Sequence, residues 1–118
     1  CGGTYFLPRL VGLQKATAFM MLGDKIGAAE AAQAGMIYKC FEDTVFEYEA
    51  AQIAGSLAGL PTTALMLTRN ALLQSFTNSL DQQLEVEKGF QDLAGHTHDF
   101  REGITAFFEK RLPAFTGK

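Results

Sequence analysis

The sequence predicts a mainly α-helical chain with at most one short strand, near Ile37–Phe41. Three observations carry this. Apolar residues recur at helical spacing in almost every segment. Glycine and proline fall between those segments, where helices stop or start. Only one stretch, "MIYKCF", is rich in the β-branched and aromatic residues that favour strands, at Ile37, Tyr38 and Phe41.

Taken in order, "TYFLPRLVG" can open a helix, with Thr4 as N-cap and Pro8 near its start, and Gly12 breaks or bends it. "LQKATAFMMLG" places Leu13, Ala16 and Met20 on one face and ends at Gly23. "GAAEAAQAG" is a short helix that ends on Gly35. Thr44 and Glu47 have capping-box spacing, and the helix after them repeats Phe46, Ala50, Ile53, Ala54 and Leu57 before Pro61 ends it. "TTALMLTRNALLQSF" turns Leu65, Leu72 and Phe76 inward. Ser79 and Gln82 form a second capping box, and Leu80, Leu84 and Phe90 make the stripe of a helix that stops at Gly95. The last helix runs from about Asp99 to Arg111, with Phe100, Ile104, Phe107 and Phe108 as its apolar positions, and Pro113 ends it. The chain thus reads as one helical region over residues 1–118, with no long linker, repeat or low-complexity segment.

Composition bounds the function. A chain of 118 residues that is 47% hydrophobic and 19% charged suits a packed core and not disorder. A net charge of -3 without a long basic run leaves no footprint for nucleic acid or an anionic membrane surface. No apolar stretch approaches the roughly 20 residues that span a bilayer. Cys1 and Cys40 lack metal or redox spacing and read as reduced thiols of a cytoplasmic protein. The chain opens on Cys1 without an initiator methionine, which reads as a piece of a longer protein.

Four constellations could carry chemistry. His96 and His98 alternate as metal ligands can, but no third or fourth ligand accompanies them, and a polar loop explains them. Asp99, Glu102, Glu109 and the other acids fall on polar faces or at caps, as solvated charge. "CGGTY" puts two glycines before a helix start, where a ligand can approach the backbone, yet it lacks the lysine of a P-loop and the third glycine of a dinucleotide fold. In "FFEKR", Phe107 and Lys110 are three apart and share a helix face; they could stack on an adenine and neutralise a phosphate, or be core aromatic and solvent-facing cation.

The order of the pieces is more specific than any one of them. "GGTYFLPRLVG", then "MMLGDKIGAAEAAQAGMIYKCF", then "TRNALLQSF", then "DFREGITAFFEKRLPAF" closely resembles the C-terminal half of the crotonase, or enoyl-CoA hydratase/isomerase, superfamily. The middle element, Leu22-Gly23-Asp24 through Ala28, Ala32 and Gly35-Met36-Ile37, and the "REG" followed by "AFFEKR" carry most of the match. The resemblance implies the helical C-terminal part of the crotonase (ClpP/crotonase-like) fold, without the N-terminal spiral core, in a homo-oligomer of trimeric or hexameric form.

It also implies a chemistry. The carbonyl of an acyl-CoA thioester points at two backbone N–H groups that stabilise an enolate, and carboxylates move the protons that give hydration or a double-bond shift. No catalytic residue is then expected in this chain, because the oxyanion-hole segments and the acid precede Cys1. Gly2, Gly3 and Thr4 are implied at the floor of the acyl pocket, with Leu7 and Met20 as further acyl contacts. Phe107 and Lys110 are implied to hold the CoA nucleotide. No cofactor or metal is implied beyond coenzyme A as part of the substrate. The wording Cys1-Gly2-Gly3-Thr4 with "YFLPRLVG" is most similar to isomerases of phenylacetate degradation that act on ring-epoxide CoA thioesters. The competing reading is a non-catalytic helical module for oligomerisation. Either way, helices stripped of a spiral core should expose apolar faces.

Overall fold

A computed structural model describes all residues 1–118, and it contains seven helices and no strand. The chain divides into two compact units, Cys1–Glu49 and Ala50–Lys118.

The first unit holds α1 (Gly3–Val11), α2 (Leu13–Leu22) and α3 (Ala28–Gln33). Thr4 does not cap α1. Gly2 adopts a left-handed backbone (φ 81°), and its carbonyl accepts the N–H groups of Tyr5 and Phe6, so the helix starts earlier and takes Thr4 inside. Pro8 lies well inside the helix, where it withholds one backbone donor. Gly12 (φ 81°) then breaks the chain between α1 and α2, which pack against each other. Of the expected α2 face, Ala16 is buried, whereas Leu13 is 75% exposed. Gly23 ends α2 in the left-handed region, as its position in the sequence suggests.

The strand candidate does not form. Residues 36–41 are turn and irregular chain, for strand propensity needs a partner ladder and every other ordered segment is helical. The Thr44 capping box is absent too. Residues 43–45 make a turn, the Val45 N–H donates to the Glu42 carbonyl, and α4 (Phe46–Ala58) begins one residue after it.

In the second unit, α4 runs on to Ala58, and Pro61 stands at the start of α5 (Thr62–Ser75), which it precedes as a fixed-φ residue. The sequence places Pro61 at the end of the preceding helix; the Gly59 and Leu60 N–H groups instead close that end onto Gly55 and Leu57. α6 (Leu80–Gly95) carries the complete Ser79–Gln82 box, with reciprocal bonds of 3.3 and 2.9 Å. α5 and α6 pack together around the buried Leu67, tied by the Gln83 amide, which donates to the Ala71 carbonyl and accepts from Asn78. Leu72, Phe76, Leu80 and Leu84, expected inward, are exposed. No single helix is long and apolar enough to cross a membrane. α7 (His98–Glu109) closes the unit.

Candidate functional site

The two groups of residues singled out by sequence lie in different units, and each has its own local geometry. In the first unit, a side chain on Gly2 would push against the Phe6 ring. A Cβ there would fall 2.9 Å from Phe6, and its φ is positive. A Cβ on Gly3 would lie 3.3 Å from the Met20 Cε, so Gly3 and Met20 are neighbours across α1 and α2. Leu7 is half-buried and Thr4 exposed on α1. Five residues named from sequence thus give one close pair, Gly3 with Met20.

The second unit holds the richer site, at the end of α7. Thr97 caps the helix by accepting the Phe100 N–H at 3.1 Å. Phe107 and Phe108 meet edge to face with ring centroids 5.8 Å apart, and both are largely exposed, at 80% and 77%. Phe107 also lines an apolar hollow of about 380 Å³ with Pro61, Phe100, Ile104, Phe108 and Phe115.

The expected shared face of Phe107 and Lys110 does not exist. α7 stops at Glu109, and Lys110 takes a left-handed backbone (φ 54°). The Lys110 N–H donates to the Phe107 carbonyl (3.3 Å) and the Arg111 N–H to the Ala106 carbonyl (3.1 Å), which is a Schellman ending with lysine where glycine is usual. Same-face logic holds only while the helix continues. The Lys110 side chain is exposed and makes no ion pair.

Acids that read as solvated charge are structural here. Asp99 is 2% exposed. Its oxygens accept the Thr116 and Gly117 N–H groups, each at 2.7 Å, and the Thr116 hydroxyl at 3.1 Å. Its own N–H donates to the Lys118 carbonyl, and the Thr63 hydroxyl donates to the Gly117 carbonyl. Burial pushes the Asp99 carboxyl up, but these donors, led by the Thr116 and Gly117 amides, outweigh it and hold it below its ordinary value. Glu102 receives the forked Arg111 guanidinium and the Ala114 N–H (2.7 Å), which draw it down to about 2. Arg111 also donates to Glu109 at 2.6 Å and is held more firmly protonated by both acids. Sequence reasoning missed this network because its partners are distant in the chain: Glu102 lies nine residues before Arg111, and Asp99 lies seventeen and eighteen before Thr116 and Gly117. His96 and His98 have local partners, the Asp92 carbonyl and the Asp99–Thr116 pair.

The comparison that decides the family covers the entire chain: residues 1–118 match the family model described as enoyl-CoA hydratase/isomerase. The chain belongs to the enoyl-CoA hydratase/isomerase family. Within that family, a 1,2-epoxyphenylacetyl-CoA isomerase of Escherichia coli is 43% identical over 118 residues, 100% of this chain and 45% of the relative. A probable enoyl-CoA hydratase of Rhodobacter capsulatus is 41% identical over 99% of this chain and 46% of its own length. A crystal structure of an enoyl-CoA hydratase from Geobacillus kaustophilus superposes with a TM-score of 0.93 at 29% identity, over 99% of this chain and 44% of that one. A putative enoyl-CoA hydratase from Streptomyces coelicolor superposes with a TM-score of 0.91 at 35% identity, over 99% of this chain and 42% of that one. The helical architecture is thus a part of the enoyl-CoA hydratase/isomerase fold. The chain spans less than half the length of the curated relatives it matches.

Proposed function

We propose that this chain is the helical C-terminal part of a cytoplasmic acyl-CoA hydratase/isomerase, supporting CoA binding and homo-oligomerisation while catalysis rests on the remainder. The match of the family model over residues 1–118 carries this reading. In the proposed reaction, backbone N–H groups stabilise a thioester enolate and a carboxylate moves the α-proton. Both come from the share of the relatives' length that this chain does not cover. Gly2, Gly3, Thr4, Leu7 and Met20 would face the acyl group. Phe107 would stack on the adenine, and Lys110 would neutralise a phosphate of the CoA. No nucleic acid, membrane, metal or further cofactor enters this scheme.

The 43% identity to a 1,2-epoxyphenylacetyl-CoA isomerase favours a ring-epoxide CoA thioester over a straight-chain enoyl-CoA. Assaying the intact protein on both thioesters tests this. Conversion of the epoxide ester alone supports it, and hydration of the enoyl ester alone moves the protein to the hydratase branch. If neither ester is converted or bound, the chain is a helical oligomerisation module, the reading favoured by its exposed Phe107, Phe108 and Leu112.

A further inference from the structure

Lys110 is the one residue other than glycine with a positive φ. A side chain with a Cβ disfavours that region, and glycine would satisfy the backbone of the same turn better. Two sets of contacts nevertheless hold the turn. The Arg111 amide closes onto the Ala106 carbonyl. The Arg111 guanidinium forks onto Glu102, reaches Glu109 at 2.6 Å and donates to the Leu112 carbonyl at 3.1 Å. Glu102 also accepts the Ala114 N–H, so the chain on the far side of the turn hangs from the same carboxylate. The turn residue itself, Lys110, is exposed, and its ammonium has no acidic partner. Strain that the surroundings maintain around a side chain with no internal role points to an external ligand.

We propose that Glu102 is a positioning residue for anion binding. Through Arg111 it fixes the left-handed turn that ends α7, and so holds the Lys110 ammonium ready for a phosphate group of a nucleotide-bearing thioester. This rests on the reading that Phe107 and Lys110 hold the CoA nucleotide. Its physical content is a population. A binding-competent turn present only part of the time weakens apparent affinity by that fraction. Glu102 supplies no contact to the ligand.

The test is a double-mutant cycle on the intact protein, with Glu102→Gln, Lys110→Ala and the pair, titrated with an acyl-CoA and with the same acyl group on pantetheine, which lacks the nucleotide. We expect Glu102→Gln to weaken the acyl-CoA by about fivefold, to leave the pantetheine ester unchanged, and to add nothing once Lys110 is alanine. Equal loss for both esters, no loss, or a loss that persists in the Lys110→Ala background overturns the positioning role while leaving Lys110 as a CoA contact. If Lys110→Ala alone fails to weaken the acyl-CoA, the nucleotide reading falls and this role with it. Should Glu102→Gln not fold, Arg111→Lys replaces it under the same expectations, since it keeps the charge and loses the two-pronged contact.

Discussion

Helices α3 and α7 end in the same way with different residues. At α3, the Gly35 N–H donates to the Ala32 carbonyl and the Met36 N–H to the Ala31 carbonyl. At α7, Lys110 and Arg111 make the equivalent bonds to Phe107 and Ala106. Both turn residues are left-handed, at φ 80° and φ 54°. The first uses the residue for which that region is free. The second places a lysine there, then braces it with Arg111, Glu102 and Glu109. A backbone geometry is thus cheap where glycine is used, and where lysine is used it comes with side-chain contacts that brace it.

The comparison can be broken most severely at the tail that follows α7. Asp99→Ala removes the acceptor of the Thr116 and Gly117 amides, and their hydrogen-exchange protection should drop to that of free chain. Protection that survives would mean that Asp99 does not hold the tail. Next in size, Gly35→Lys puts the lysine of the second turn into the first without its brace. It should lower stability by about 1–2 kcal/mol in denaturant unfolding. The converse, Lys110→Gly, removes the strain and should raise stability by about 1 kcal/mol, which makes it a stabilising change at a proposed binding position. The smallest effect is on acidification. Glu102 titrates near 4.5 when unfolded and about 2 when folded, so the unfolded chain binds the proton first. Stability from its contact with Arg111 is full above pH 4.5 and is lost as pH falls toward 2. Asp99, also depressed, adds in the same direction. Glu102→Gln should flatten the acid limb of a stability-against-pH curve, and an unchanged limb would remove Glu102 from that account.

Much of the helical order was legible because glycine and capping residues act locally. Gly12 and Gly23 end helices in the conformation that only glycine takes freely, and the Ser79–Gln82 box forms as its spacing requires. The misses have tertiary causes. Thr4 is not the cap because the helix begins one residue earlier, at Gly3, with the left-handed Gly2 as its N-cap. Residues 36–41 have strand propensity and no ladder to join. Leu72, Phe76 and Leu80 have the spacing of a core face and lie exposed, as helices deprived of a packing partner would. At the end of α7, the sequence shows Phe107 on a helical apolar face, but not the turn that takes Lys110 off that face. Lys110 leaves the helix because Glu102, nine residues before Arg111 in sequence, captures that arginine, and such a pairing has no local signature.

The most direct measurement of the central claim is the affinity of the intact Lys110→Gly protein for an acyl-CoA, determined by calorimetric titration. Glycine suits the left-handed turn and removes the lysine side chain with its ammonium. The account predicts binding about tenfold weaker, near 1.4 kcal/mol, in a protein at least as stable as the parent. An unchanged affinity would contradict it, and the braced turn would then be a helix ending with no part in holding a nucleotide.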